Sequence, residues 1–138
     1  MGEIVVEIEL ENPVDRQLTE RGAVGEQTVR RELISAVVDT GAVMLALPEG
    51  LVARLGIPTR RTISTSYADG RLGELPVAGP LTLRIGDREM STDCIVVPSN
   101  AEALLGQVVM ETLDLIPDPL HQTLGPRPES PDRPLLRV

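Results

Sequence analysis

The fold is decided by Ile34-Ser35-Ala36-Val37-Val38-Asp39-Thr40-Gly41-Ala42, in which an apolar run ends on a carboxylate, a hydroxyl and a glycine. The β-branched Val37 and Val38 predict the end of a buried strand, and Gly41 lets the chain turn without a steric penalty. Asp39 is therefore expected at a rigid strand end. Asp-Thr-Gly alone is also ordinary turn chemistry, because Asp side chains often bond the backbone two residues on. After an apolar approach, however, a carboxylate needs a specific partner.

The length of 138 residues fits a single folded domain. We assign it to residues 1–124 and expect a proline-rich, flexible tail over residues 125–138, because the tail is poor in apolar residues. The chain has no Phe or Trp and only one Tyr. Its core must therefore be built from aliphatic side chains, which favours strands.

The formal net charge of -8 argues against nucleic acid and anionic membranes as partners, because both attract concentrated Lys and Arg. The N-terminus lacks the basic and long apolar segments of a signal peptide or membrane anchor, so we predict a cytoplasmic protein. The single cysteine, Cys94, excludes an intramolecular disulfide and multi-Cys metal motifs, and its apolar neighbours indicate a buried core residue. No metal or cofactor is implied.

The first strand is predicted from apolar residues that alternate with glutamates. The apolar positions are Ile4, Val6, Ile8 and Leu10, and the acidic positions are Glu3, Glu7, Glu9 and Glu11. We expect the glutamates to form a solvated face. Residues 14–26 are polar and contain two glycines, which predicts a loop or loose hairpin before a strand that begins near Gln27.

The middle of the chain predicts a helix over residues 49–55, closed by Gly56. The Asp69-Gly70 pair predicts a hairpin turn. Its returning arm is expected to be interrupted at Pro76 and Gly79-Pro80. Further predicted elements are strands over residues 81–85 and 89–97, a helix over 107–113 and a final short strand over 114–118.

A second informative stretch is Ala103-Leu104-Leu105-Gly106, which precedes the predicted C-terminal helix. Together with Ala36–Ala42 and a hairpin between them, it resembles the ordered motifs of the retropepsin-like aspartic proteases over roughly residues 4–118. The resemblance implies a mainly β fold: a closed acid-protease β-barrel with one short C-terminal helix and a β-hairpin flap.

The resemblance also implies an aspartic endopeptidase in which Asp39 is the catalytic carboxyl. Peptide hydrolysis without a metal or a nucleophilic side chain needs two carboxyl groups, one to accept a proton from water and one to donate a proton to the carbonyl oxygen. The chain contains a single Asp-Thr-Gly, so the second carboxyl is expected from the other subunit of a homodimer. Thr40 is then expected to lock the two loops together, and Gly41 to let the backbone of a peptide or protein substrate approach.

Two groups of residues match the family's substrate-binding positions. The pocket residues are Val37, Ala42, Val43, Met44 and Leu104, for which plain core packing is an equally good interpretation. The flap residues are Tyr67, Asp69, Gly70 and Arg71, which a simple exposed hairpin would also explain. The sequence departs from the viral pattern at the polar tip and at Gln107, where viral enzymes carry an arginine.

Two other interpretations remain open from the sequence. The first is a non-catalytic peptide-binding or dimerisation module on the same fold, because a fold does not fix a function. The second is a plain β-barrel scaffold in which Asp39 belongs only to a turn. The single histidine, His121, is not expected to be catalytic, because no nucleophile motif accompanies it.

Overall fold

The computed structural model describes residues 2–138, which form nine strands, three α-helices and one short 3-10 helix. The strands are Val5–Glu11 (β1), Arg31–Val38 (β2), Ala46–Pro48 (β3), Thr59–Ser66 (β4), Leu72–Ile85 (β5), Arg88–Val97 (β6), Leu104–Leu105 (β7), Leu115–Asp118 (β8) and Thr123–Pro126 (β9). The helices are Pro13–Glu20 (α1), Glu49–Leu55 (α2) and Gln107–Leu113 (α3), and the 3-10 helix is Glu26–Thr28. The predicted mainly β fold class is confirmed.

Seven strands form one sheet in the order β1-β2-β7-β3-β6-β5-β4. β1 also pairs with β5, through Glu9–Glu11 against Thr82–Arg84, so six of the strands close into a ring. β4 pairs with β5 outside that ring and forms the predicted hairpin with it. The two remaining strands, β8 and β9, make a separate antiparallel pair.

The core inside the ring is aliphatic, as the composition predicts. Its fully buried members include Ile8, Leu10, Leu47, Leu81, Leu83, Leu105 and Val109. Cys94 is also fully buried, and burial raises the pKa of its thiol to about 12. Cys94 is therefore a small core residue, and its thiol stays in the unreactive, protonated form.

Residues 13–20 form helix α1, so the prediction of a loop or loose hairpin over residues 14–26 is wrong there. Asn12 caps the helix: its side-chain oxygen accepts hydrogen bonds from the N–H groups of Val14 (2.9 Å) and Asp15 (3.1 Å). Pro13 occupies the first helical turn, where a proline needs no hydrogen-bond partner. The Asn-Pro pair was thus a helix-start signal, which the polar composition and the two glycines obscured.

Glu11 corrects the expectation that the glutamates of β1 form a solvated face, because its side chain is fully buried. Arg16 of α1 donates to its carboxylate at 2.7 Å and Arg84 of β5 at 3.3 Å. These bonds, chiefly that from Arg16, hold the pKa of Glu11 below its ordinary value although burial opposes the shift. The two arginines thus turn the end of an acidic strand face into a buried ion cluster.

β5 also differs from the expectation of a broken returning arm. It runs without interruption through Pro76 and Gly79-Pro80 to Ile85. The expected breaks appear instead as a register shift against β6 between Ala78 and Leu81. A bulge of this kind absorbs the irregular residues while the strand continues.

The C-terminal segment packs more closely than its composition suggests. β9 crosses the predicted boundary between residues 124 and 125, because Gly125 and Pro126 pair with β8. The buried Asp114 carboxylate accepts hydrogen bonds from the Arg127 guanidinium and from the Leu135 N–H, the latter at 2.9 Å. The buried Arg88 side chain donates to the carbonyl oxygens of Asp114 and Ser130. Long-range polar contacts therefore hold the tail against the end of α3.

Candidate active site

Asp39 follows the last residue of β2 and is held by the neighbouring strand. β2 and β7 run parallel, with Val37 opposite Leu104 and Val38 opposite Leu105. The Asp39 N–H donates to the Leu105 carbonyl oxygen at 2.9 Å and continues this ladder by one residue. The prediction of a rigid strand end at Asp39 is confirmed.

The Asp39 side chain is half-buried and lies in a tight turn. The Gly41 N–H donates to Asp39 Oδ1 at 2.9 Å, and the Ala42 N–H donates to the Asp39 carbonyl oxygen at 3.1 Å. The bond to Gly41 is the local Asx turn that the tripeptide alone would predict. This bond uses one carboxylate oxygen. Within residues 2–138, no side chain donates a hydrogen bond to the Asp39 carboxylate.

The loop of residues 39–44, named the catalytic loop after the role proposed for Asp39, is also fixed by the first turn of α3. The N–H groups of Gln107 and Val108 donate to the carbonyl oxygens of Ala42 (2.8 Å) and Val43 (3.0 Å). The first N–H groups of a helix have no partner inside the helix, so here the loop satisfies them. The Gln107 side chain adds a third bond, from Nε2 to the Thr40 carbonyl oxygen at 2.9 Å.

Gly106 allows this close approach. A Cβ atom at that position would lie 2.8 Å from the carbonyl oxygens of both Ala42 and Met44. Backbone atoms on both sides leave no flexible neighbour to move aside. Glycine in the Leu-Leu-Gly stretch is therefore required by packing against the catalytic loop.

The predicted pocket residues lie within this loop or on the paired strands β2 and β7 next to it. Val37, Ala42, Met44 and Leu104 are half-buried, whereas Val43 is 66% exposed. Leu104 pairs with Val37 on one side and with Ala46 of β3 on the other. The five residues thus lie at or next to the end of β2, and their contact with a substrate remains a prediction.

The tip of the β4–β5 hairpin contains the predicted flap residues. The Tyr67 N–H donates to the Arg71 carbonyl oxygen and the Gly70 N–H to the Tyr67 carbonyl oxygen, both at 2.9 Å. Arg71 also bonds Asp69 and stacks over the Tyr67 ring at 5.3 Å. The Arg71 backbone N–H, followed by its guanidinium group, lowers the pKa of Asp69. Within residues 2–138, none of the tip's side-chain hydrogen bonds reaches the catalytic loop.

Thr40 has an exposed side chain and lies beside an open cavity of about 550 Å³. The cavity is lined by the start and middle of α3, by β8 and by the tail residues Leu135–Arg137. Gln107 shares this lining with Thr40. Sequence reasoning noticed Gln107 only as a departure from the viral pattern, because a side-chain bond across 67 positions leaves no local signal.

Metal-binding groups are not evident in the described part of the chain, residues 2–138, where no three His, Cys, Asp or Glu side chains converge. His121 is exposed, and its Nδ1 lies 2.7 Å from Asp118 Oδ2. Over the same residues, no helix is both long and apolar enough to cross a membrane.

Comparison with known proteins adds one positive result. The family model described as gag-polyprotein putative aspartyl protease matches residues 26–112, more than half of the chain. The match begins before β2 and includes the catalytic loop, the hairpin and nearly all of α3. The search of curated proteins returned no match. With its mainly β ring and the Asp-Thr-Gly loop fixed at a strand end, the chain belongs to the retroviral-type aspartyl protease family.

Proposed function

We propose that the chain is an aspartic endopeptidase that works as a homodimer, with Asp39 as the catalytic carboxyl of each subunit. One observation carries the proposal. The Asp39 carboxylate is fixed at a strand end by the Gly41 N–H, while the described chain offers its other oxygen no side-chain partner. A carboxylate that is rigid but incompletely bonded is suited to bind and activate water.

The reaction needs a second carboxyl group close to the first. One carboxylate takes a proton from the attacking water, and the neighbouring protonated carboxyl gives its proton to the oxygen of the scissile carbonyl. Two such groups about 3 Å apart cannot both be ionised, so they share a proton and titrate as a pair. The tetrahedral intermediate then collapses: the C–N bond breaks, the nitrogen takes the proton that the first carboxylate had accepted from water, and one hydroxyl of the intermediate returns its proton to the second carboxylate.

Several other acids of the chain have their own cationic partners. Glu11 bonds Arg16, Asp15 bonds Arg30, and Asp114 bonds Arg127. This supports a second Asp39, from another copy of the chain, as the missing carboxyl. A two-fold axis beside the loop would bring both copies together, and Thr40, with its exposed side chain, would lie at the contact.

The proposed substrate is an extended peptide or a protein segment. Val37, Ala42, Val43, Met44 and Leu104 would contact its side chains, and Gly41 its backbone. The tip residues Tyr67, Asp69, Gly70 and Arg71 would act as a flap that pairs with the peptide and excludes water. The buried thiol of Cys94 is compatible with a reducing compartment, and we include a cytoplasmic location in the proposal.

Replacement of Asp39 by Asn tests the proposal. Cleavage of a peptide library should fall roughly a thousandfold or more, because the variant cannot take a proton from water. The circular dichroism spectrum and the urea midpoint should not change. Asp87→Asn is the matched control, since Asp87 is exposed in the β5–β6 turn, and its activity should equal that of the original chain. Undiminished cleavage by Asp39→Asn would overturn the assignment.

A mixing experiment tests the dimer separately. An equimolar amount of Asp39→Asn chain is added to a fixed amount of active chain, and the subunits are allowed to exchange. About half of the active subunits should then pair with inactive partners, so the activity should fall to about half. Excess variant should reduce the activity further. Activity that ignores added variant would contradict the shared site.

The polar hairpin tip favours one alternative, a non-catalytic peptide-binding module. The Asp69–Arg71 pair closes the tip on itself and places two charged groups at the turn. Such a module would cleave no peptide, and the Asp39→Asn variant would bind peptides as tightly as the original chain. Calorimetric binding beside the cleavage assay separates the two functions.

A further inference from the structure

The peptide group between Thr40 and Gly41 makes a hydrogen bond at each end. Its carbonyl oxygen accepts from Gln107 Nε2 at 2.9 Å. Its N–H, which belongs to Gly41, donates to Asp39 Oδ1, also at 2.9 Å. The two atoms belong to one planar unit, so the direction of the carbonyl fixes the direction of the N–H.

Gln107 is well placed to hold this unit. It is the first residue of α3, and its own N–H donates to the Ala42 carbonyl oxygen at 2.8 Å. The side chain therefore starts from a backbone position that is itself bonded to the loop. A hydrogen bond to a carbonyl oxygen also polarises the peptide group and strengthens the bond that its N–H makes.

We propose that Gln107 is a positioning residue, which orients the Asp39 carboxylate through the Thr40–Gly41 peptide group. The proposal rests on the peptidase function proposed above. Gln107 need not contact the substrate for this role. Its loss lets the peptide plane rotate, and the N–H then swings away from Asp39 Oδ1. The chemical step suffers while substrate binding is kept.

Gln107→Met is the first test, because methionine has a similar length and no donor. We expect kcat to fall about tenfold while KM stays within about twofold. Gln17→Met is the matched control. Gln17 is exposed on α1, and the same substitution there should leave both constants unchanged. A urea midpoint for each variant reports on folding.

Gln107→Glu gives a readout that a purely structural role would not move. A protonated glutamic acid can donate to the Thr40 carbonyl oxygen, whereas the ionised form repels it. The ratio of kcat in Gln107→Glu to kcat in Gln107→Met should therefore rise as the pH falls through about 4.3, the ordinary glutamate value. Glu111, Asp114, Arg127 and Arg137 line the same cavity as Gln107 and, like Asp39, occur in both variants, so the ratio removes the pH dependence that the two variants share.

The outcomes separate the two proposals. Full cleavage by Asp39→Asn overturns the peptidase assignment itself. If Asp39→Asn is inactive, an unchanged kcat in Gln107→Met, or a change in KM alone, overturns the positioning role. If Gln107→Met is poorly folded, the kcat of Gln107→Glu is divided by the kcat of the original chain instead. A ratio that does not change with pH then contradicts the proposal.

Discussion

The catalytic loop and the hairpin tip are both tight turns that contain an Asp and a Gly, yet they are held in different ways. The loop is bonded by β7 and by the first turn of α3, which lie more than 60 positions away in the sequence. The bonds of the tip join residues no more than four positions apart. The loop is therefore part of the folded core structure, and the tip is a local structure on a long hairpin.

The difference indicates that the loop and the tip are suited to different roles. Long-range bonds fix an atom in space, whereas local bonds fix only the shape of a turn. The proposed homodimer needs the first kind of support, because each Asp39 carboxylate would have to meet its copy within hydrogen-bond distance. The proposed flap needs the second kind, because it would open and close over a peptide.

The largest effect on stability and on cleavage is expected from Gly106→Ala. The new Cβ would lie 2.8 Å from two backbone oxygens of the catalytic loop, so the loop or α3 must shift. We expect the free energy of unfolding to fall by about 2–3 kcal/mol and cleavage to be lost with the displaced loop. Urea denaturation and the peptide assay measure both.

Gly70→Ala is the matched control at the tip. Gly70 has a φ of +85° and no atom within 4 Å of a new Cβ. The cost is then only that of the left-handed backbone, about 1 kcal/mol. Equal losses of stability in Gly70→Ala and Gly106→Ala would contradict the distinction between loop and tip.

The tail is a third region to compare with the loop and the tip. It has no helix or strand after β9, but like the loop it is held by long-range bonds. Arg127, and then the Leu135 N–H, hold the pKa of Asp114 well below its usual range. The unfolded chain binds the proton more readily, so this anchor is fully present above the ordinary Asp value of about 3.9 and is lost only as the pH falls further. The Leu135 amide resonance should stay in place between pH 7 and 4.

Asp114→Asn is the comparison for the tail. It removes the charge at every pH, so the Leu135 amide resonance should move towards its unfolded position already at pH 7. A resonance that is the same in both chains would show that other contacts anchor the tail. Asp132→Asn, at an exposed tail position, serves as the control.

The smallest change in stability is expected from Arg71→Ala. The Arg71 side chain is 73% exposed, so the urea midpoint should hardly change. The tip would lose its ion pair and its stacking on Tyr67, and we expect KM to rise about threefold with little change in kcat. Arg60→Ala on β4 is the control. A fall in kcat without a change in KM would place the tip in the chemical step.

Local signals in the sequence were sufficient for much of the fold. The Val-Val-Asp-Thr-Gly run predicted the strand end, Pro48 and Gly56 bracketed α2, and Asp69-Gly70 predicted the hairpin. Each of these signals acts within a few residues, through backbone conformation or alternating burial. The family match then confirms the resemblance to retropepsin-like proteases that the ordered motifs indicated.

The remaining features depend on contacts that no local pattern encodes. Glu11 has the alternation of an exposed position, and only Arg16 and Arg84 show why it is buried. The tail has the composition of a flexible segment, and only Asp114 and Arg88 show what holds it. Gln107 reaches Thr40 across the chain. Charged and polar partners outside the local strand pattern decided each case, and for Glu11 they lie between 5 and 73 positions away.

The bond between Gln107 and Thr40 also bears on when the site can form. During synthesis, residues 39–44 leave the ribosome more than 60 residues before α3 is complete. Closing so long a segment comes late in folding, because its entropy must be offset before the contact contributes. A nascent chain therefore carries Asp39 without these supporting bonds until residues 107 and 108 have been made. Under the proposed function, neighbouring nascent chains would not be cleaved before that point.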